Sequence, residues 1–460
     1  MLPALLLGYG LLLGLLALIV HHRHGSQELR VFFVADGRLS ASVTAASLVA
    51  TSVGGTSTVV TAALVFRHGL AGIWIDIAGS LGLLLLAAGL ARRVRETGVC
   101  SIAELAGLFY GPGVRKATAV IVVTAEIAWL ALLARATSAL LTPALPELGG
   151  WPFVALMLLA VLFYTSLGGQ YAVAFSDLFQ LVLMILGLLV LAPLYVHRAL
   201  VARSAILVPL TLSFPVSATL GWGDVGSFLL LMGLPHLVGS DIYAKLLSAR
   251  NAKSAARGAL GAAVLKLLFA FGVAFLGLAA ARLLPLGTDA DMALGALIHH
   301  VLPPWGAPWV LLALVATTMS SADQVLLSAI TMTLHDLFPS LSLHRGSKEG
   351  AAVVFCLSAF ALAVALPTVV DAMKVGYTLF ASGVTLPLLM ALLGFRPVRR
   401  GMAGVAMFGG ALLGGGLHVA RLLGVFSGKP VVWGLVLSAL LLLAGMPRRD
   451  HEDQATPRRY

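Results

Sequence analysis

Charge is what this 460-residue chain lacks: Asp, Glu, Lys and Arg together make up 11% of it. A soluble domain carries about 25%, because its surface faces water. With 60% of residues hydrophobic, most of the perimeter must face lipid instead. Cysteine is scarce too. Cys100 and Cys356 lie beside or within apolar stretches, with no CxxC pair and no metal-ligand spacing, so they read as packing residues. Acidic residues number 19 against 30 Lys and Arg, a net charge of +11. Nucleic acid is not the partner this implies. The cations sit in short clusters between apolar runs, which is how membrane topology is encoded. Polar segments are short, the longest being the tail after Pro447. The first apolar run has no leading cation and no small-residue cleavage site; its cations follow it, at His21 to Arg23. An uncleaved first span is expected.

A bilayer-crossing helix needs roughly 20 apolar residues. Thirteen are predicted, near 3–20, 40–66, 72–91, 115–142, 151–167, 171–196, 222–244, 256–284, 307–335, 350–367, 373–394, 402–422 and 430–446. The stretch 197–222, broken by Pro209 and Pro215, reads as a loop. With the N-terminus outside, 21 of the 30 cations fall in inside segments, among them Lys245, Arg345, Arg396, Arg448, Arg449, Arg458 and Arg459. Seven fall outside (Arg67, Arg198, Arg203, Arg282, Lys374, Arg421 and Lys429), and Arg135 and Lys266 lie within spans. That bias predicts a multi-pass protein of the cell membrane, N-terminus outside and C-terminus cytoplasmic.

Two spans carry unusual chemistry. The second, Ala46 to Leu64, holds the hydroxyls of Ser47, Thr51, Ser52, Thr56, Ser57 and Thr61 around a central Gly54-Gly55. Paired glycines weaken a helix, and unwound backbone at membrane depth is tolerated only where it lines a cavity or is buried in protein. Broken helices of this kind form the sites of secondary transporters; close helix packing is the competing explanation. In the ninth span Thr317, Ser320 and Ser321 stand at i, i+3 and i+4, on one helical face. Hydroxyls and freed carbonyls are hard donors suited to hard cations, although Ser and Thr also bond helix to helix.

Five blocks, in order, resemble the sodium/solute symporter family, which includes proline, pantothenate, sialic acid and glucose cotransporters. They are FFVADGRLSASVTAASLVATS (32–52), FRHGLAGIWIDIAGSLGLLLLAAGLARRVRETGVCSIAEL (66–105), YTSLGGQYAVAFSDLFQ (164–180), GLPHLVGSDIYAKLLSARNAKSAARG (233–258) and MSSADQVLLSAITMTLHDLF (319–338). The resemblance implies an all-α fold of about thirteen transmembrane helices with a five-plus-five inverted-repeat core, spans 2–6 and 7–11. The expected division is a first helix over 1–25, a transport core over 38–395, and two last helices with a short tail over 396–460. A sodium site is implied at the carbonyls of Ala50, Val53 and Thr317 and the hydroxyls of Ser320 and Ser321. Asp177 matches an acidic position on the inner ion path; on its own it reads equally as a helix-start residue near the interface. Two departures stand out: Ser52 where some members carry Asp or Asn, and Leu234 where the family has Gln.

The solute side of the break is assigned to Ser52, Gly55 and Thr56. Ionisable residues inside a membrane are site candidates by default. Asp76, with Ser80 one turn on, resembles a cavity-lining position, and its rival reading is an interface residue. Glu126 and Arg135 are nine residues apart, about 13.5 Å along the helix and on opposite faces, so they are not expected to pair. Arg135 can receive a carboxylate or snorkel outward; His236 can line the cavity or be structural; Lys266 reads as a snorkelling cation. Asp76 and Arg135 together would frame an amino acid-like or organic acid solute. The expectation is a monomeric symporter, not an enzyme, importing a small polar solute with Na+ by alternating access. The alternatives are proton coupling, or a sensor module working with a separate partner. His299-His300 and His335-Asp336 have no evident metal or nucleophile constellation around them.

Overall fold

The computed structural model describes residues 1–24, 29–202, 212–344, 346–366, 368–395 and 398–446; these are nearly all helical, with no strand among them. Ten helices are long and apolar enough to cross a membrane. Two of them, Thr56–Glu96 and Trp151–Ala202, have 41 and 52 residues. At a rise of 1.5 Å per residue these would run about 60 and 80 Å, against a hydrocarbon core of about 30 Å. Each is therefore more than one crossing. The first is interrupted at Gly69 (φ 71°, ψ −160°) and the second at Gly169 (φ 57°, ψ −159°). With the shorter Pro430–Ala444, and with Ala41–Ser52 continuing into the segment from Thr56, the described residues make the thirteen crossings that the sequence predicts.

The elements that build the interior are α1 (Leu2–His24), α2 (Ala41–Ser52), α3 (Thr61–His68) and α4 (Trp74–Leu85). They continue with α5 (Pro112–Leu141), α6 (Trp151–Met184), α7 (Leu234–Val238) and α8 (Ser240–Ser248). The last are α9 (Ala252–Leu283), α10 (Gly306–Thr331) and α11 (Val369–Phe380). α2 begins at Ser40, whose hydroxyl accepts the Val43 N–H, and ends at the predicted break: Val53 leaves the helix at φ −101°, ψ 56°. A second break was not foreseen. The predicted span 222–244 parts at Gly239 (φ −63°, ψ 142°), between α7 and α8. The first helix of each predicted repeat is thus discontinuous.

α10 is the centre of the molecule. The apolar stretch of Gly306–Leu337 is entirely buried, whereas most of α1 is not, and Leu7, Leu11, Leu156, Leu159 and Phe163 present bare apolar surface. That is the burial pattern of a protein whose outer solvent is lipid. α10 packs on α2, α5 and α6, and α9 packs on α2, α3 and α4, so both halves of the broken span are enclosed. Lys245 corrects the count of inside loops: it lies on α8 with no exposed surface. Arg203, Pro209, Arg345, Arg396, Arg448, Arg449, Arg458 and Arg459 lie outside the described residues.

At Gly169 a side chain has neither a conformation nor a space: a Cβ there would stand 2.6 Å from the Phe32 ring and 2.8 Å from the Phe32 carbonyl. Gly169→Ala is expected to lower the thermal melting point of the purified protein, by strain of roughly 1–3 kcal/mol before any clash. An unchanged melting point would contradict the turn.

Candidate cation and solute site

A helix leaves its last four carbonyls without intrahelical partners, and α2 ends deep in the protein. Side chains take up three consecutive carbonyls there. Ser320 Oγ donates to Ala50 O at 2.8 Å, Ser321 Oγ to Thr51 O at 2.6 Å, and Lys266 Nζ to Ser52 O at 2.6 Å. The same two serines reach the Thr317 carbonyl, at 3.0 and 3.4 Å. The oxygens of Ala50, Thr317, Ser320 and Ser321 therefore form one buried cluster linking α2 to α10. All are neutral, hard donors, the chemistry that fits a monovalent cation. Val53, the fifth residue of the predicted set, sits in the break itself, its N–H still bonded to Val49 O at 2.9 Å. Gly54 is what lets the serines approach: a Cβ there would lie 2.1 Å from Ser321 Oγ.

A cavity opens beside this cluster. Ser52, Gly55, Thr56 and His236 line it, as expected from the sequence, and Ser321 belongs to both cluster and cavity wall. His236 is at once a lining residue and a fixed one, its Nδ1 donating to Met232 O at 2.9 Å. Trp129, Asp241 and Tyr377 also line it, alongside further apolar residues, and sequence reasoning does not single them out. The Trp129 and Tyr377 rings lie 4.9 Å apart at 53°, with Phe380 5.5 Å from Trp129. Asp241 lies in the first turn of α8, just past the Gly239 break. The sequence did carry a signal for it, a Gly followed by Ser-Asp inside an apolar run.

Other predicted residues lie elsewhere. Asp76 is fully buried, not at an interface, and both its oxygens are engaged. Oδ1 meets Lys266 Nζ at 2.9 Å and the Ser57 hydroxyl; Oδ2 accepts from Thr61 Oγ1 at 2.7 Å. Lys266 also contacts Ser57 and is fully buried, so it does not snorkel. Ser80 is buried beyond the cavity wall. Arg135 donates to Ala363 O at 2.8 Å, stacks 5.7 Å from the Trp151 ring, and lines a different cavity with Asp289 and Asp291. Asp76 and Arg135 are not brought together, so they do not frame an amino acid-like or organic acid solute. Glu126 does stay apart from Arg135, accepting from Ser240 Oγ at 2.6 Å.

Asp177 is fully buried rather than interfacial, bound by Lys245 Nζ at 2.7 Å and by the Ser47 hydroxyl. Next to this pair the Tyr164 hydroxyl donates to Asp323. Leu234 packs with Val431 and Leu435, away from the cavity. His335 is less isolated than its sequence context implies: with Glu104 and Cys100 it forms a half-buried group whose ligand-type atoms lie within 4.8 Å of one another. Glu104 Oε2 joins the three, accepting from Cys100 N–H at 2.7 Å and from His335 Nε2 at 3.1 Å.

The model of the Sodium:solute symporter family matches residues 32–395. The chain belongs to this family. It is 27% identical over 319 residues to the high-affinity choline transporter 1 of Torpedo marmorata, covering 64% of this chain and 53% of that one. To the choline transporter of Rattus norvegicus it is 27% identical over 355 residues, covering 70% and 59%. The chain thus spans a little over half the length of these relatives. Its fold is shared with a Na+-coupled sialic acid symporter in a substrate-bound outward-open state, at a TM-score of 0.77, 16% identity and 96% coverage of both chains.

Gly54→Ala, which drives a methyl into Ser321, and the Ser320→Ala/Ser321→Ala pair are both expected to abolish any stabilisation of the purified protein by sodium. Sodium-dependent thermal shifts that persist in the double variant would remove the cation from this cluster.

Proposed function

We propose that this protein is a sodium-coupled symporter that imports a small organic cation, of the choline type, by alternating access. The observation that carries the cargo class is the cavity wall: an aromatic corner of Trp129 and Tyr377 together with the Asp241 carboxylate. Aromatic faces attract ammonium groups electrostatically, and quaternary ammonium ligands are held in aromatic cages. A nearby carboxylate adds charge complementarity. The names of the choline-transporter relatives support the same class.

The coupling ion is assigned to the Ala50, Thr317, Ser320 and Ser321 oxygens, with Val53 at its edge. That set contains no titratable group, which favours sodium over a proton as the driving ion. Ser321 faces both this set and the cavity, so ion and solute have a shared wall through which each can tighten the other. The working unit is the core over 38–395, with the N-terminus outside and the solute entering from that face. Asp177 and its Lys245 partner lie on the inner side of the ion path.

Choline is expected to raise the melting point of the purified protein only when sodium is present, while proline and galactose do not. Trp129→Ala is expected to raise the KM for sodium-driven choline uptake roughly tenfold or more, since a desolvated cation–π contact is worth about 2 kcal/mol. Stabilisation by a neutral sugar or a carboxylate, and none by choline, would overturn the cargo.

A further inference from the structure

We infer that the Lys266 ammonium is a built-in cation: it fills, beside the broken helix, the place a second coupling ion would take, so that the cycle carries one sodium. This rests on the sodium-coupled reading above and goes beyond it, to stoichiometry. The geometry around Nζ is that of an ion site. Its partners are a backbone carbonyl of the unwound segment (Ser52, 2.6 Å), a hydroxyl (Ser57) and a carboxylate (Asp76, 2.9 Å). These are the oxygen types that bind a hard cation, and they follow directly on the carbonyls used by Ser320 and Ser321.

The place is enclosed. Lys266 and Asp76 have no exposed side-chain surface. The second oxygen of Asp76 accepts from Thr61, and with no exposed side-chain surface the carboxylate is closed off from the solute cavity. The fold also makes room for the lysine stem. A Cβ at Gly79 would stand 2.8 Å from Lys266 Cε and 3.2 Å from the His236 ring, so a glycine on α4 lets α9 deliver the ammonium to the break. An ion in this position leaves the protein at the end of each cycle; a tethered ammonium does not. The charge that holds Asp76, Ser57 and the Ser52 carbonyl is therefore permanent, and only the Ser320–Ser321 cluster exchanges its cation.

The first test is the number of sodium ions bound per chain at saturation, measured on the purified full chain by equilibrium binding of radioactive sodium, with the Hill coefficient of sodium-driven uptake beside it. One ion and a coefficient near one are expected. Two ions would overturn the built-in cation while leaving sodium coupling intact; none would overturn the sodium-coupled reading itself. The second test removes the tether. Lys266→Met leaves Asp76 unpaired, and it is expected to recruit a second sodium, seen as a second binding event and a larger sodium-dependent thermal shift. Asp76→Asn in the same chain should remove that second event. A Lys266→Met protein that binds one sodium as before would mean that the pair merely fastens α9 to α4. If that variant does not fold, the ion count of the unaltered chain still decides.

Discussion

The interrupted end of α2 is the constraint on which the rest of this structure depends. Three backbone carbonyls, at the buried residues 50, 51 and 52, lie at the end of a helix and lack helical partners. A buried carbonyl without a partner costs about 1–3 kcal/mol, so side chains supply the partners: Ser57, further along the same span, donates to Ser52 O at 3.0 Å, and the rest come from other helices. α10 supplies two hydroxyls and α9 supplies an ammonium. Those choices fix the packing, because α9 and α10 must both lie against α2 at the level of the break. They also fix the chemistry. Oxygens gathered to satisfy a backbone are also oxygens suited to a cation.

Charge inside the protein follows from the same economy of partners. An uncompensated ion in an apolar interior is costly, and removing one member of a buried pair costs roughly 3–5 kcal/mol. Lys266 with Asp76 and Lys245 with Asp177 are both fully buried, and each pair cancels. Among the described residues the interior also holds carboxyl groups without a lysine bonded to them, including Glu126 on Ser240, Asp323 under Tyr164, and Asp241 on the cavity wall. Asp241 is the one of these that lines the cavity with the aromatic corner. Among the described residues that line this cavity there is no Lys or Arg, which agrees with the proposed positive cargo. Arg135, which sequence reasoning offered for that part, serves a separate cavity near Asp289 and Asp291.

The parts legible in the sequence were those written in local pattern. Apolar length gave thirteen crossings, the Gly-Gly pair gave the first break, and the i, i+3, i+4 hydroxyls of α10 gave the cluster that faces it. The parts not legible depended on residues far apart in the chain. Lys266 meets Asp76 across 190 residues, and Lys245 meets Asp177 across 68. A lone lysine in an apolar run says nothing of its partner, so snorkelling and loop positions were the natural readings. Trp129 was hidden for another reason: in a chain that is mostly hydrophobic, an aromatic that lines a cavity has the same local context as one that packs. The second break carried a weaker signal than the first, a single Gly239 in place of a pair, and it concealed the role of Asp241.

In the proposed reading, Ser321 is the residue through which one break serves both ion and solute. Its hydroxyl is tied to the Thr51 and Thr317 carbonyls, while its side chain also forms part of the cavity wall. A cation that takes the hydroxyl as a ligand must reorient it and draw α2 and α10 together, which alters the wall the solute meets. By linkage, a solute that prefers the reoriented wall tightens the cation by the same factor. Lys266 stands outside this exchange. It joins α9 to α4 and to the break, making no contact with α10 in its polar set. The broken span is therefore bonded on one side by a charge that stays and on the other by a cluster whose oxygens can change partner. In the proposed sodium-coupled reading that asymmetry has a use: if both sides were permanent the span could not respond to the ion, whereas one fixed side keeps the break in place while the other changes partner.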